Sequence, residues 1–439
     1  MKDIQKIPVV SKQLLFPFII ITSLFALWGI ANDLTNPMVS AFKKVMPELS
    51  NTQASLVQFA FYFGYFFMAL PAALFIRKYS YKSGIIVGLT LYASGAFLFY
   101  PAAAYQEYNY FLISLWVITC GLAFLETTSN PLVLYLGDKE TATQRLNLAQ
   151  AFNPMGSLTG MIIAQVFVLN ALKSDDYTSE AFKALSSNEL AAIRENDLGV
   201  ISVPYIALGV LVLAIMLIII FTKIPKTAKE DKMGLSESFK KLFANRNYKQ
   251  GVLSQAFYVG AQIMCWTFIF QYVDNLNATY GWDLTATYYN IAAMISFLTG
   301  RWIGTALMRR IDPSKILMFF GLGGVICSAG AIVLPGMAGL ISLICISIFM
   351  SIMFPTIYGI ALKDMGEEAK IGSAGLVMAI VGGALMPVLQ GSILDWGGDG
   401  FSDIKILGYI PEVNFSFILP LICLAVVALY GYSTVKASK

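Results

Sequence analysis

The sequence predicts an all-α membrane protein with twelve transmembrane helices in two pseudo-symmetric six-helix bundles. Three observations support this prediction. The 439 residues are 57% hydrophobic and only 13% charged, whereas soluble domains carry about 25% charged residues. The hydrophobic residues form long runs, and about 20 such residues cross a bilayer as a helix. One long basic loop divides these runs into two sets of six.

The twelve apolar segments follow one another at short intervals, and their even number places both termini on the same side of the membrane. They lie near 14–39, 54–76, 82–103, 109–137, 146–171, 200–222, 248–277, 284–309, 313–335, 337–362, 371–397 and 410–435.

The distribution of basic residues predicts the orientation. With a cytoplasmic N-terminus, most of the 30 Lys and Arg residues fall in cytoplasmic segments, as the positive-inside rule requires. The outer segments then contain Lys43, Lys44, Lys173, Lys183, Arg194 and Lys405. We therefore expect a multi-pass protein of the cell inner membrane with both termini in the cytoplasm. The small net charge of +4 gives no indication of nucleic-acid binding.

The basic loop suggests three parts of the chain: an N-terminal bundle (1–222), a cytoplasmic linker (223–247) and a C-terminal bundle (248–439). The two bundles share a weak sequence similarity. Pro131 and Pro355 occupy corresponding places, and each precedes a charged turn and a span rich in small residues. Repeats of this kind are typical of transporters built from two related halves.

Three charged residues lie deep in the predicted spans, where each costs about 3 kcal/mol on insertion scales. Glu126 is near the middle of the fourth span, with Thr127 and Asn130 beside it. A proton carrier in a water-accessible site is the favoured interpretation. A structural carboxyl group hydrogen-bonded between helices is the alternative. Arg301, in the eighth span, is predicted to have a gating or structural role, either snorkelling or pairing with loop carboxylates.

Asp33 lies in the outer half of the first span together with Asn32 and Asn36. Residues three or four apart share a helix face, so these side chains are expected to form one polar face. Pro37 removes a backbone donor and is expected to permit a kink. The alternative is a helix end that dips into interfacial water.

Neutral polar residues form a second set. Gln150 and Asn153 are three apart in the fifth span, and Trp266 follows Gln262 by four in the seventh. Amides can hydrogen-bond to sugar hydroxyls, and an aromatic face can cover the apolar side of a sugar ring. The alternative is that such amides join helices to one another. Together with the deep carboxylates, they predict a hydrophilic substrate site.

Motifs for other functions are absent from the sequence. It has no P-loop, no HExxH and no GxSxG, so neither an ATP-driven pump nor an enzyme is expected. It has no histidine, and its five cysteines include no CxxC pair. We therefore expect no metal site and no cofactor.

The twelve spans, the division into two sets of six and the turn RKYSYKSG, which begins at Arg77, resemble the major facilitator superfamily. A closer resemblance is to the fucose:proton symporter family, which includes glucose/galactose transporters. It rests on the stretches FALWGIANDLTNPM, FLETTSNPL, RLNLAQAFNPMG, GRWIGTALM and MFPTIYGIALKDMGEEAKIGSAGLVMAIVGGALMP. The resemblance implies exchange between outward-open and inward-open states around a central cavity.

The resemblance also implies roles for particular residues. The family's fourth-span glutamate, associated with sugar binding and proton coupling, matches Glu126, and its fifth-span amides match Gln150 and Asn153. In the first span, fucose transporters have the pattern A-N-N-L-N-D with the proton-carrying carboxylate last. This chain has Ala-Asn-Asp-Leu-Thr-Asn over residues 31–36. Its carboxylate, Asp33, therefore lies three positions earlier, and Asn36 occupies the family's carboxylate position.

The predicted function is proton-coupled uptake of a monosaccharide, with L-fucose as the first choice. The expected partners are the sugar, the proton and the lipid bilayer, and the expected state is a monomer. One alternative is a glucose/galactose or other hexose symporter, coupled either to protons or to sodium. Alternatives of other classes are a sugar sensor that does not transport and a membrane-embedded enzyme.

Overall fold

A computed structural model of the chain describes residues 7–35, 38–46, 48–49, 51–177, 185–224, 235–394, 405–406 and 408–437. Asn36 and Pro37, which the sequence assigned to the polar face of the first span, lie outside these described residues. The described chain is almost entirely helical, as predicted.

The helices of the first part of the chain follow the predicted apolar segments. They are α1 Leu15–Thr35, α2 Met38–Val45, α3 Asn51–Lys78, α4 Tyr81–Phe97, α5 Phe99–Tyr105, α6 Tyr108–Tyr135, α7 Ala142–Gln150, α8 Phe152–Ile163 and α9 Ser187–Phe221. A π-helical turn at Ala164–Val168 and 3-10 turns at Leu169–Ala171 and Lys173–Asp176 follow α8.

The second part continues the same pattern. Its helices are α10 Leu235–Ala244, α11 Arg246–Thr267, α12 Ile269–Tyr280, α13 Ala286–Leu307, α14 Pro313–Val333, α15 Gly336–Met350, α16 Met353–Ala361, α17 Ala369–Met378, α18 Gly382–Leu394, α19 Glu412–Phe415 and α20 Ile418–Ala437. The strands β1 Lys405–Ile406 and β2 Ile410–Pro411 pair antiparallel between α18 and α19, with Lys405 opposite Pro411.

Eleven helical segments in the described ranges are long and apolar enough to cross a membrane. The predicted eighth span corresponds to α13, a helix of 22 residues that is not among those eleven. At 1.5 Å per residue, α13 is about 33 Å long, enough to span the hydrocarbon core. Polar residues such as Asn290 and Arg301 lower its hydropathy.

The sixth span differs from its prediction at its start. Residues 187–199 were expected to belong to a loop, but they form the first part of α9. The Ser186 side chain accepts a hydrogen bond from the Glu189 amide, and Glu189 bonds back to the Ser186 amide. This reciprocal pairing begins a helix. The buried Asp197 carboxylate then accepts the amides of Lys173 and Ser174, at 2.9 Å each.

The chain forms two compact units. Unit 1 comprises Met1–Ser11, Val133–Ala151 and Lys232–Lys439, and unit 2 comprises Lys12–Leu132 and Phe152–Asp231. Val133–Ala151 belongs to unit 1 because it contacts the C-terminal helices: the Asn147 amide donates to Thr356 Oγ1 at 3.1 Å. The division at the 223–247 linker stays a prediction.

Within each unit, two helices approach closely through a glycine. In unit 2, a Cβ on Gly156 of α8 would lie 2.0 Å from the Ala26 carbonyl oxygen of α1. In unit 1, a Cβ on Gly382 of α18 would lie 2.1 Å from the Ala256 carbonyl oxygen of α11. The same type of helix contact therefore occurs twice: a glycine permits close backbone approach of the first and fifth spans, and another does so for the seventh and eleventh spans. This agrees with the sequence similarity between the halves.

Candidate functional site

Glu126 occupies a buried position on α6 in unit 2, with 7% of its surface exposed. Within the described ranges, its carboxylate makes no hydrogen bond or ion pair. It interacts electrostatically with the phenol of Tyr65, which is also buried. A buried carboxylate without a bonded partner is costly when charged, so this site can hold a proton at low cost. Among the described residues, Glu126 lacks the interhelical hydrogen bond that the alternative interpretation expected.

The structure describes two of the three residues predicted to form the polar face at the end of α1. The Asn32 Oδ1 atom is buried and has no hydrogen-bond partner among the described residues. Asp33 is half-buried and interacts electrostatically with Tyr62 of α3. Asn36, the third predicted member, lies outside the described residues.

The two tyrosines of α3 were not predicted as site residues. Tyr62 and Tyr65 are three positions apart, so they share one face of α3. Each lies near one of the two predicted proton carriers. They were not recognised because they lie in the aromatic stretch FYFGYFF, whose residues are typical of the apolar part of a membrane span. The three-residue spacing of hydroxyl-bearing rings was the available signal.

Asn153 joins two helices of unit 2. Its Nδ2 donates to the Phe25 carbonyl of α1 at 3.2 Å. The same helix pair is in backbone contact nearby, since a Cβ on Gly29 would lie 2.2 Å from the Asn153 carbonyl oxygen. Asn153 therefore has the helix-joining contact that was the alternative interpretation for the amides. Asn32 lies one turn beyond Gly29, so this contact also positions the polar face of α1.

Gln262 and Trp266 lie one turn apart on α11 in unit 1, and both are half-buried. Trp266 Nε1 donates to Ser347 Oγ of α15 at 3.2 Å, and its ring meets Phe297 edge-on at 5.1 Å. The Asn290 amide of α13 donates to the Trp266 carbonyl at 2.9 Å. The indole is thus held by one hydrogen bond and one ring contact, and Asn290 holds the main chain of the same residue. The Gln262 side chain makes no hydrogen bond with any described residue.

Arg301 of α13 is buried, with 3% of its surface exposed. Its Nε donates to the Ser351 carbonyl, and its Nη1 donates to the Gln150 carbonyl at 3.0 Å. The guanidinium also lies over the Phe297 ring, 5.0 Å from its centre. Snorkelling or pairing with loop carboxylates, as expected from the sequence, is therefore not what the described residues show. Carbonyl oxygens and an aromatic face hold this cation instead.

Gln150 is buried at the end of α7, and its main-chain carbonyl receives the Arg301 bond. Gln150 belongs to unit 1, whereas Asn153 belongs to unit 2. Arg77 is half-buried in the last turn of α3.

A second buried arginine was not predicted. Arg145 was counted as a loop residue, but it lies on α7 and is fully buried. Its guanidinium donates to the carbonyls of Val133 and Leu134 at the end of α6, at 2.8 and 2.6 Å. It also bonds to Thr141 Oγ1 and to the carbonyls of Val9 and Asp138. Arg145 therefore satisfies the last carbonyls of α6, which a helix leaves unpaired.

Comparisons with known proteins agree with this architecture. Residues 14–387 match the family model described as Major Facilitator Superfamily. The chain is 51% identical over 436 residues to the L-fucose-proton symporter of Haemophilus influenzae, covering 98% of this chain and 99% of that protein. It is 35% identical to the L-fucose-proton symporter of Escherichia coli, covering 96% and 93%. It is 32% identical to a glucose/galactose transporter of Brucella abortus, covering 94% and 92%.

Solved structures are also similar. The crystal structure of the major facilitator transporter FucP in the outward conformation superposes with a TM-score of 0.85 at 33% identity, over 96% of this chain and 99% of that one. The helical spans, the family model and the relatives covered over nearly their full length lead to one conclusion: this chain belongs to the Major Facilitator Superfamily and, within it, to the fucose:proton symporter family.

Proposed function

We propose that this protein carries L-fucose into the cytoplasm together with protons. The observation that carries the proposal is Glu126, a carboxylate deep in α6 that is 7% exposed and has no bonded partner among the described residues. Such a group is stable when it holds a proton and costly when it does not. The names of the relatives at 51% and 35% identity support the choice of L-fucose and the proton.

The proposed cycle uses the residues of each unit as follows. Glu126 and Asp33 take protons from the outside, and their neutral forms permit sugar binding and closure. In unit 2, the Asn32 amide binds sugar hydroxyl groups. In unit 1, the Gln262 amide binds sugar hydroxyl groups and the Trp266 indole covers an apolar sugar face. Proton release to the cytoplasm resets the carrier. The net shift arises because protons and sugar bind the two states with different affinities.

The remaining predicted residues complete the proposal. Asn36, Gln150 and Asn153 assist sugar binding, Asn153 through its bond to α1. Arg301 and Arg77 have gating or structural roles. The two bundles are 1–222 and 248–439, joined by a cytoplasmic linker at 223–247.

The proposal extends to the cellular setting. The protein acts as a monomer in the lipid bilayer of the cell inner membrane, with both termini in the cytoplasm. It is not an enzyme, it uses no cofactor, and the sugar crosses unchanged.

The experiment is uptake into proteoliposomes with an imposed pH gradient, inside alkaline. Radiolabelled L-fucose, galactose, glucose and mannose are compared, each with and without a sodium gradient, and proton movement is followed by a pH dye. Accumulation of L-fucose with alkalinisation of the outside supports the proposal. Accumulation of galactose or glucose driven by sodium identifies the hexose alternative, and saturable binding without flux identifies the sensor. Recovery of a chemically altered sugar contradicts the assignment as a transporter.

A further inference from the structure

Gln255 of α11 is a buried amide that lacks its hydrogen bonds. It is 0% exposed, and neither Nε2 nor Oε1 has a hydrogen-bond partner within the part of the chain that the structure describes. A primary amide offers two donor hydrogens and an acceptor oxygen. More than nine-tenths of buried polar groups in proteins are paired. An amide without a partner among the described residues therefore indicates a ligand, a bound water or another conformation that satisfies it.

A second buried group in the same place has the same property. Tyr258 lies three residues after Gln255, on the same face of α11. It is 0% exposed, and its hydroxyl has no hydrogen-bond partner among the described residues. The Tyr258 phenol interacts electrostatically with the Arg301 guanidinium. Neither Tyr258 nor Gln255 makes a side-chain hydrogen bond among the described residues.

The face of α11 that carries Gln255 and Tyr258 packs on α16 within unit 1. A Cβ on Gly251 would lie 2.5 Å from the Ala361 Cβ, and the Tyr258 ring meets the Phe354 ring at 6.3 Å. These two contacts lie on either side of Gln255 along α11. The facing stretch of α16 contains Tyr358, whose ring stacks on Phe354 at 6.3 Å and 22°. Gln255 therefore lies on α11 between two contacts with α16, and the aromatic rings of Tyr258, Phe354 and Tyr358 belong to the same helix pair.

The position along α11 connects these groups to the proposed sugar contacts. Gln255, Tyr258, Gln262 and Trp266 are spaced by three or four residues, so they form one polar stripe along the helix. Gln255 lies roughly 16 Å from Trp266 along the axis, towards the end at Arg246. The proposed orientation makes that end cytoplasmic. Gln262 and Trp266 are half-buried, whereas Gln255 and Tyr258 are fully buried.

We infer that Gln255 and Tyr258 form a second hydroxyl-binding subsite for the sugar, closed in this structure and occupied during release to the cytoplasm. An amide and a phenol beside aromatic rings have the chemistry that binds a polyhydroxylated ring: hydrogen bonds to hydroxyl groups and an apolar surface for the ring's C–H face. The inference rests on the proposed function, because monosaccharide transport supplies the ligand.

The test compares sugar movement from the two sides of the membrane. The protein is reconstituted in one orientation, and the half-saturating L-fucose concentration is measured for uptake and for efflux. The variants are Gln255→Met and Tyr258→Phe, which remove polar atoms that make no hydrogen bond with any described residue. Tyr248→Phe on the same helix is the control, because its hydroxyl donates to the Gly372 carbonyl at 2.9 Å.

We expect Gln255→Met and Tyr258→Phe each to raise the half-saturating concentration for efflux about tenfold, equivalent to about 1.4 kcal/mol. Uptake should stay within twofold of the unaltered protein, and the thermal midpoint should not fall. Tyr248→Phe should lower the thermal midpoint. It should not change the ratio of the half-saturating L-fucose concentrations for efflux and uptake.

Two results would overturn the subsite while leaving the proposed function intact. In the first, both variants keep the half-saturating L-fucose concentrations for uptake and efflux and raise the thermal midpoint. This is the result expected if the two side chains bind a bridging water and no sugar. In the second, the half-saturating L-fucose concentration changes by the same factor for uptake and for efflux. Absence of L-fucose flux in the unaltered protein is a separate outcome: the proposed function then fails, and the subsite inference fails with it.

Discussion

Arg301 Nη1 donates a hydrogen bond of 3.0 Å to the Gln150 carbonyl oxygen, so that a residue of α13 holds the C-terminal end of α7. The same guanidinium donates to the Ser351 carbonyl and lies over the Phe297 ring. A planar guanidinium makes these contacts at once, because its donors point in several directions and its face is free to stack. One buried cation thereby connects three helices of unit 1 around Phe297 and Trp266.

The first prediction concerns this contact. Arg301→Lys should lower the free energy of unfolding by about 1–3 kcal/mol, because a lysine ammonium cannot hold both carbonyls and cover the ring. The measurement is thermal denaturation of the purified protein in detergent. Arg309→Lys, at an exposed arginine just after α13, is the matched control and should leave the midpoint unchanged. Equal midpoints for the two variants would contradict the structural role of Arg301.

The second prediction concerns proton coupling. Glu126→Gln should abolish accumulation of L-fucose driven by a pH gradient, because the amide cannot release a proton. It should retain exchange of labelled for unlabelled sugar, which needs no net proton movement. Glu107→Gln, an exposed carboxylate just before α6, is the control and should accumulate sugar normally. Full accumulation by Glu126→Gln would remove Glu126 from the coupling path.

The third prediction concerns the displaced carboxylate of the first span. Asp33→Asn should also abolish accumulation. The double variant Asp33→Asn/Asn36→Asp places the carboxylate at the position where the fucose transporters have it and should recover accumulation, since the two positions are only three residues apart in the chain. Uptake and proton movement are measured in the same vesicles. If Asp33→Asn accumulates sugar as well as the unaltered protein, Glu126 is the only carrier of the pair.

The fourth prediction concerns the packing of α1 against α8. Gly156→Ala places a methyl group 2.0 Å from the Ala26 carbonyl oxygen, and overpacking of this kind costs about 1–3 kcal/mol. Gly199→Ala is the control: it lies on α9 with nothing within 4 Å of the added Cβ. Helix propensity alone should make this control slightly stabilising, by up to about 1 kcal/mol. A thermal midpoint for Gly156→Ala at or above that of Gly199→Ala would show that the two helices can separate freely.

The spans were the part of the fold that the sequence predicted best. The helical segments occur where apolar runs occur, because a segment in hydrocarbon must satisfy its backbone hydrogen bonds internally. The predicted helix boundaries were wrong where hydrogen bonds of polar side chains determine the end of a helix. The start of α9 at Ser187 depends on the pairing of Ser186 with Glu189 and on the bonds of Asp197 to a distant turn.

The candidate site was predicted in part. Glu126, Asn32 and Gln262 were identifiable because polar side chains in apolar runs are rare. Tyr62 and Tyr65 were missed because an aromatic ring in a membrane span is common, and only its neighbours reveal a polar role. Arg145 was missed because its place near a predicted loop suggested exposure, whereas it is fully buried.

By itself, the sequence determined the class of protein, the order of its spans and the short set of polar residues inside them. These properties depend on hydropathy and on spacing along one chain, both of which are local. Only the tertiary structure decided the partners: that Arg145 holds the end of α6, that Arg301 holds carbonyls instead of carboxylates, and that Gln255 has no partner among the described residues. Such pairings join residues far apart in sequence, and burial makes each of them energetically decisive, because a polar group without water must find its partner in the folded chain.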